Sequence, residues 1–235
     1  MSEAPLALAH QFDDLDQQHE AGSLGMWVFL VTEIMFFGGL FCAYTIYRSL
    51  YLEGFVAGSH ILNIKLGAAN TGVLIASSFT MAMAVHSAQT GRRKALMAFL
   101  ALTMLLGLVF LGVKYVEYHD KYVEHLIPCE SVSCSNLGME FAPEGEALQP
   151  IERLHAPVSH VEMYFCFYFF MTGMHALHMI IGIGLMTYLL VMARRGKFTP
   201  QYYAPVEVGG LYWHFVDIVW IFLFPLLYLI GGRYP

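Results

Sequence analysis

The apolar residues of this chain fall into five long blocks that are separated by short polar or charged stretches. Each block holds about 20 residues or more, which is the length an α-helix needs to cross ~30 Å of hydrocarbon. Charged residues and helix breakers mark the block ends, for example Arg92-Arg93-Lys94 and Pro200. The pattern predicts an all-α fold, a polytopic membrane helical bundle with spans at roughly 25–47, 66–89, 94–118, 161–193 and 208–232.

Composition supports a membrane protein and excludes one class of partner. Of the 235 residues, 57% are hydrophobic and 13% are charged, whereas about 25% are charged in an average soluble domain. A net charge of -6 and a pI near 6.0 give no basic footprint for nucleic acid. Nucleic acid is therefore not an expected partner.

The first 24 residues form a polar stretch before the first apolar block. They contain five acidic side chains, no lysine or arginine, and no short apolar core before a small-residue cleavage site. A cleavable signal peptide is therefore not expected. We interpret residues 1–24 as a polar acidic N-terminal tail and residues 25–235 as one five-helix membrane domain.

Lysine and arginine concentrate in two connections, 91–94 and 194–207. The positive-inside rule places both connections on the cytoplasmic side of the membrane. With five spans, the N-terminus is then cytoplasmic and the C-terminus is outside, and residues about 119–160 form an outside loop. This loop contains four prolines and an acidic excess, so we expect it to be mostly irregular.

The four cysteines are divided between the spans and the outside loop. Cys42 and Cys166 lie in apolar blocks and are interpreted as small buried hydrophobes. Cys129 and Cys134 lie close together in the loop, where an oxidising compartment would allow a disulfide. Two free thiols, or part of a metal site that lacks its other ligands, fit the same spacing.

Small residues recur at every fourth position of the second span: Ala68, Gly72, Ala76, Thr80 and Ala84. Stripes of this kind let membrane helices approach closely. We expect this one to face a neighbouring helix, although alanine-rich spans also produce such stripes by chance.

Ionisable residues inside the spans require an explanation, because inserting a charged side chain at the middle of a membrane helix costs about 2.5–3.5 kcal/mol. Eight are found: Glu33, His86, Lys114, Glu117, His175, His178, His214 and Asp217. The sequence contains no phosphate-binding glycine loop, nucleophile elbow or zinc-protease motif. No catalytic residue and no metal site is predicted.

Glu33 lies about eight residues into the first span, or about 12 Å along the helix axis, too deep for a short carboxylate to reach water. We expect it to be protonated, hydrogen-bonded, or both. Such a group can belong to a proton path, or contact a lipid headgroup or a partner helix. A neutral glutamic acid bonded to a neighbouring helix fits as well.

Two i, i+3 pairs place polar side chains on single helix faces: His175 with His178, and His214 with Asp217. Together with His86, these histidines could provide axial ligands for haem b in a helical bundle. Hydrogen-bonded clasps between helices use the same spacing, so the pairs alone do not decide between the two.

Trp213 and Trp220 lie seven residues apart and share a face of the last span with His214 and Asp217. A stripe of two indoles, an imidazole and a carboxylate is not expected to face lipid over its whole length. We interpret this face as a protein interface; for Trp213, the interfacial aromatic belt is the alternative.

The run Tyr212-Trp-His-Phe-Val-Asp-Ile-Val-Trp220 resembles the last-helix signature of subunit III of the haem-copper oxidases. Three further segments resemble that family: 32–37, "TEIMFF"; Glu117-Tyr118; and 173–182, "GMHALHMIIG". The resemblance runs from about residue 25 to the C-terminus and is weakest in the outside loop. It fits the shorter, five-helix bacterial form of the family.

The resemblance implies a non-catalytic subunit III of a bacterial terminal oxidase in the plasma membrane, and cytochrome c oxidase is the expected complex. No cofactor is expected in this chain, because haem and copper belong to partner subunits in this family. The implied partners are subunit I as the main contact, subunit II and other subunits of the complex, membrane lipids, and cytochrome c as electron donor to the complex. The implied role is to support sustained proton uptake, stability and lipid binding during oxygen reduction in aerobic respiration.

The resemblance also implies roles for individual residues. Glu33 matches the buried membrane glutamate of the family and is expected to be linked to protons or lipid near subunit I. Candidates for polar helix packing or the subunit interface are His86, Glu117, His175, His178, Trp213, His214, Asp217 and Trp220. A structural phospholipid is compatible with the family, although its lipid-holding cleft is built partly from two helices that the five-helix form lacks.

Other membrane proteins share these sequence features. The equivalent subunit of a quinol oxidase has nearly the same five-helix form, and a small membrane protein associated with nitric oxide reductase is related. A membrane haem b electron carrier is the alternative from a different class, and it requires the isolated chain to bind haem.

Overall fold

A computed structural model describes residues 11–128 and 141–229 of the chain. Its helices are α1 (Leu15–Leu50), α2 (Leu52–Ile61), α3 (Ile64–Gln89), α4 (Arg93–Val123), α5 (Leu148–Arg153), α6 (Val158–Arg194) and α7 (Ala204–Phe224). A 3-10 turn at Gly145–Ala147 precedes α5, and a π-helical turn at Pro225–Leu229 continues α7. In the described ranges five helices, α1, α3, α4, α6 and α7, are long and apolar enough to cross a membrane, which confirms the predicted all-α membrane bundle.

Helix α1 begins at Leu15 rather than near residue 25. The Gln17 amide donates to Asp14 Oδ1 at 2.7 Å, and the Asp13 amide donates to Gln17 Oε1 at 2.8 Å. Side-chain caps of this kind satisfy amides that have no partner within the helix. Part of the predicted tail therefore forms the first turns of α1.

The outside loop is less irregular than the sequence predicts. α4 continues to Val123, and α5 lies within the loop, so the expectation of a mostly irregular segment is wrong for these parts. Pro150 is compatible with α5 because it lies in the first turn, where a missing N–H removes no helical hydrogen bond. Cys129 and Cys134 lie at 129–140, outside the described residues.

Buried positions on α4 recur at alternating intervals of four and three residues. They are Leu96, Leu100, Thr103, Gly107, Phe110, Lys114, Glu117 and Lys121. A repeat of about 3.5 residues keeps one stripe of a helix facing its neighbours. The register of α4 therefore places Lys114 and Glu117 on the inward stripe.

Helix α3 has the same inward repeat, through Gly67, Asn70, Leu74, Ser77, Met81, Ala84 and Ala88. The predicted small stripe has a period of four, so it drifts across this face instead of following it. Ala68, Gly72 and Ala76 are exposed, whereas Thr80 and Ala84 are buried. The stripe therefore does not pack as a whole within the chain by itself, because ~3.6 residues per turn rotate a strict four-residue repeat around the helix.

Cys42 and Cys166 are both exposed, so their interpretation as buried hydrophobes is wrong for the chain by itself. Lipid tails are as apolar as a protein core. Hydrophobicity at a span position consequently gives no signal of which side it faces.

The described residues form two compact units. The first lies within Met1–Phe36, Leu74–Leu108 and Met179–Asp217, and the second within Phe37–Val73, Val109–His178 and Ile218–Pro235. Trp213, Leu96 and Leu100 are among the buried side chains of the first unit. The largest buried side chains of the second are aromatic and include Tyr44, Phe55, Phe110, Tyr164, Phe165 and Tyr168.

Candidate functional site

The second unit contains a buried ion pair. Lys114 and Glu117 are each 4% exposed, and Lys114 Nζ donates to Glu117 Oε2 at 3.0 Å. Both belong to α4, and their i, i+3 spacing lets one helical turn bring them together. Such a pair needs further hydrogen bonds, because both charges have lost their hydration.

Two tyrosines provide these hydrogen bonds. Lys114 Nζ donates to the hydroxyl oxygens of Tyr168 and Tyr228, both at 3.1 Å. Tyr168 donates to Glu117 Oε1 at 2.8 Å, and Tyr228 donates to the same oxygen. Each hydroxyl group therefore accepts from the ammonium group and donates to the carboxylate.

The ammonium group is fully used by this network. It has three N–H donors, and their acceptors are Glu117, Tyr168 and Tyr228. Lys114 Nζ also lies 5.0 Å from the ring centroid of Tyr168 and 5.2 Å from that of Trp220, within the range of cation–π attraction. No donor of Lys114 is left for a substrate, so the network is suited to holding α4, α6 and the π-helical turn together.

The π-helical turn brings Tyr228 to the ion pair. It begins at Pro225, which has no amide hydrogen and therefore interrupts the regular bonding of the preceding helix. Tyr44 donates to Leu226 O at 3.0 Å, and Tyr164 donates to Leu227 O at 2.8 Å. Side chains of the second unit thus hold this irregular backbone in place.

His175 and His178, the predicted pair on α6, have separate neighbours in the second unit. His175 is 1% exposed, and its ring centroid lies 5.3 Å from those of Phe110 and Trp220. His178 Nδ1 lies 2.8 Å from Met174 O, one turn earlier in the same helix. Among the described residues, no group of three or more His, Cys, Asp or Glu side chains could hold a metal ion.

The two tryptophans of α7 are completely buried and donate hydrogen bonds to α3. In the second unit, Trp220 donates to Thr71 Oγ1 at 3.0 Å. In the first unit, Trp213 donates to Ser77 Oγ at 2.7 Å. Each indole therefore has the polar partner that a buried N–H group requires.

Trp213 fits between two glycines of the first unit. A Cβ atom added to Gly107 on α4 would lie 2.7 Å from Trp213 Cη2, and one added to Gly182 on α6 would lie 3.0 Å from Cζ3. Real Cβ contacts are longer than the first of these distances. Three helices thus approach closely around one indole because two positions lack side chains.

The predicted pair His214 and Asp217 also lies in the first unit. His214 Nδ1 and Ser78 Oγ are 2.6 Å apart. Asp217 is 2% exposed, and its carboxyl oxygens have no hydrogen bond within the described residues. Ser78 interacts with Asp217 as well, although outside hydrogen-bond geometry. Ser78 is therefore the common polar neighbour of the pair.

Glu33 is half-buried in the first unit, one turn after the buried Leu30. It interacts electrostatically with Tyr212, whose ring stacks on Phe29 at a centroid distance of 6.0 Å. His86, near the end of α3, is exposed. Glu33 thus interacts with one aromatic residue of the chain, Tyr212, whereas His86 is exposed on the surface of the chain.

The chain matches the family model described as cytochrome c oxidase subunit III over residues 17–126 and 130–232. It belongs to the cytochrome c oxidase subunit III family. The matched ranges include nearly all of the five membrane-spanning helices, and the family predicted from the sequence is confirmed.

This chain is similar to relatives named as subunit 3 of a quinol oxidase and to relatives named as subunit 3 of a cytochrome c oxidase. It is 29% identical to quinol oxidase subunit 3 of Bacillus subtilis, with 92% of each chain covered. It is 33% identical to the probable cytochrome c oxidase subunit 3 of Nocardia farcinica and 34% identical to that of Mycobacterium leprae, over 88% of this chain and 87% of each relative. Relatives named for both types of oxidase are therefore similar to this chain.

Sequence reasoning found only part of the buried network in this subunit III. It noted both Lys114 and Glu117 as ionisable residues of a span but named only Glu117 as a packing candidate, although a lysine three residues before a glutamate was a usable signal for an ion pair. Tyr168 and Tyr228 were missed. Their meeting with the ion pair depends on the packing of α6 and the π-helical turn, which no local pattern indicates.

Proposed function

We propose that this chain is the accessory, non-catalytic subunit III of a bacterial cytochrome c oxidase. The observation that carries the proposal is the family match over 17–126 and 130–232. Cytochrome c as the donor is supported by identities of 33% and 34% to two relatives named cytochrome c oxidase subunit 3, against 29% to the quinol oxidase relative.

In this proposal, haem and copper belong to partner subunits and the chain holds no redox centre. The contacts of the histidines support this assignment. His175 packs on aromatic rings, His178 lies within hydrogen-bond distance of a backbone carbonyl, and His214 lies within that distance of Ser78. Each imidazole is thus already in contact with protein groups.

The chain packs mainly against subunit I, with subunit II, other subunits and membrane lipid as further neighbours. This part of the proposal is supported by α1, whose most apolar window is only 11% buried within the chain. Trp27, Ile34 and Met35 are exposed there, at 56%, 57% and 73%. A helix of this kind needs lipid or another protein around it.

Glu33 supports sustained proton uptake or lipid retention in this proposal. Its carboxyl group is half-buried within an apolar span and interacts with Tyr212. A carboxyl group in such surroundings is expensive to maintain and is usually functional. The role concerns lifetime and stability of the complex rather than a step of oxygen reduction.

The complex lies in the bacterial plasma membrane, with residues before α1 on the cytoplasmic side. Basic residues at 92–94 and 194–197 support this orientation through the positive-inside rule. The described end of α7 is then at the outer side.

The test is a reduced-minus-oxidised visible spectrum of the complex that co-purifies with this chain in mild detergent. A haem a signal from a partner subunit supports the cytochrome c oxidase. A purely b- or o-type signal would instead assign the chain to a quinol oxidase, the second candidate that the Bacillus subtilis relative favours. Haem bound to the isolated chain would overturn the accessory role.

A further inference from the structure

Asp217 is a buried carboxyl group whose two oxygens make no hydrogen bond within the described residues. It is 2% exposed and lies well inside α7, about 20 Å along the helix axis from the first residue of that helix. A short acidic side chain cannot reach water from this depth. Buried polar groups of native proteins nearly always have a partner, so this one calls for an explanation.

The distribution of basic residues makes Asp217 suited to holding a proton. Every lysine and arginine of the first unit lies at 92–94 or 194–197, at the ends of membrane-spanning helices. Lys114 belongs to the second unit, where its three donors are already used. A carboxylate that is buried without a cation is far more costly than the neutral acid.

Ser78 connects Asp217 to an imidazole. Ser78 Oγ lies 2.6 Å from His214 Nδ1, and Ser78 also interacts with Asp217, outside hydrogen-bond geometry. His214 lies one turn before Asp217 on the same face of α7. A hydroxyl group can donate and accept at the same time. Ser78 can therefore pass a proton between an acid and an imidazole.

We propose that Asp217, Ser78 and His214 form a proton-binding site in which Ser78 relays the proton between the other two. In one state Asp217 is the neutral acid, and the Ser78 hydroxyl donates to Nδ1 of neutral His214. When the carboxyl group approaches Ser78, its O–H bond breaks and the proton binds Ser78 Oγ, while the hydroxyl proton of Ser78 moves to His214 Nδ1. The second state holds a carboxylate and an imidazolium joined by the serine, and no further reactant is needed.

The two ends of the site differ in their access to the surface of the chain. His214 and Ser78 are partly exposed, whereas Asp217 is buried. Histidine takes up and releases protons near neutral pH, so His214 is the end through which a proton enters and leaves. The proposal goes beyond the accessory role and does not depend on which oxidase the chain belongs to.

Infrared spectroscopy of the purified complex, in water and in heavy water, tests whether Asp217 holds the proton. A protonated carboxylic acid has its own C=O band, which shifts when the proton is replaced by deuterium. Asp217→Asn is expected to remove one such band. Asp120→Asn, which removes an exposed aspartate of α4, is expected to remove none. If Asp217→Asn does not assemble, isotopically labelled aspartate identifies the band in the unmodified complex by its isotope shift.

The relay is tested by the rate at which this acid exchanges its proton for deuterium. Ser78→Ala should slow the exchange several-fold, because the path to His214 is interrupted, and Ser78→Thr should restore it. His214→Gln keeps a polar group but cannot take up a proton, so it should slow the exchange as well. Ser87→Ala is the matched control on α3, since the Ser87 hydroxyl donates to Met83 O of its own helix at 2.7 Å.

Two outcomes would overturn the proposal. If the unmodified complex and Asp217→Asn have the same carboxylic acid bands, Asp217 is ionised and holds no proton. If the band is present but exchanges at the unmodified rate in both Ser78→Ala and His214→Gln, the three residues form a structural clasp and not a relay.

Discussion

Lys114 and Glu117 form a buried ion pair within α4 whose remaining hydrogen-bonding groups are satisfied by Tyr168 and Tyr228. The pair joins three separate stretches of the second unit through hydroxyl groups that act as donor and acceptor at once. The pair contributes to the stability of the chain only when both residues are present, because a buried charge without its partner is strongly destabilising. The following substitutions test this condition.

Lys114→Met should destabilise the chain by about 3–5 kcal/mol, because it leaves the Glu117 carboxylate buried without its cation. The double variant Lys114→Met/Glu117→Leu should lose much less stability, since both charges have been removed and no unpaired charge is left buried. Unfolding of the purified chain in detergent micelles measures both. If the losses of Lys114→Met and Glu117→Leu simply add in the double variant, the two residues do not act as a pair.

Tyr228→Phe removes one donor to Glu117 and one acceptor from Lys114 with little change of volume. The expected loss is about 1–3 kcal/mol, because two charged groups each lose a hydrogen bond in a buried site. Tyr188→Phe is the control, since Tyr188 is 57% exposed. The same unfolding measurement should show almost no change for the control, and an equally small change for Tyr228→Phe would contradict the network.

The sequence predicts the elements of this fold better than the contacts between them. Five spans and the importance of Glu117 follow from apolar block length and from the cost of a buried charge. The faces that pack within the chain do not follow from the sequence, because lipid and protein are both apolar. Ala68 and Gly72 of the small stripe, for example, are exposed in the chain by itself. The partners of Lys114 on α6 and in the π-helical turn follow from three-dimensional packing alone.

Gly107→Ala should disturb the first unit, because the added methyl group would lie 2.7 Å from the Trp213 ring. Overpacking of this kind costs about 1–3 kcal/mol. Gly112→Ala is a matched control on the same helix, with no atom within 4 Å of the added carbon. Thermal denaturation in detergent should show a lower transition for Gly107→Ala and an unchanged or higher one for Gly112→Ala. Equal behaviour would show that Trp213 has room to move.

Glu33→Gln tests the proposed role of this carboxyl group. Assembly and initial turnover of the complex should be nearly unchanged, because the role concerns sustained activity and lipid retention. The number of turnovers before inactivation should fall. Glu53→Gln removes an acid that is exposed at the start of α2 and should leave this lifetime unchanged. Failure of Glu33→Gln to assemble would point to a purely structural clasp.

His175→Ala separates the accessory subunit from a haem b carrier. The imidazole packs against Phe110 and Trp220, so its removal leaves a gap between two rings and should destabilise the second unit by about 2–4 kcal/mol. The visible spectrum of the complex, normalised to the amount of complex, should not change, because His175 does not ligate a haem iron in this proposal. His86→Ala, at an exposed position, serves as the control and should change neither stability nor spectrum. A haem b signal that disappears in His175→Ala but persists in His86→Ala would make His175 a ligand and overturn the accessory role.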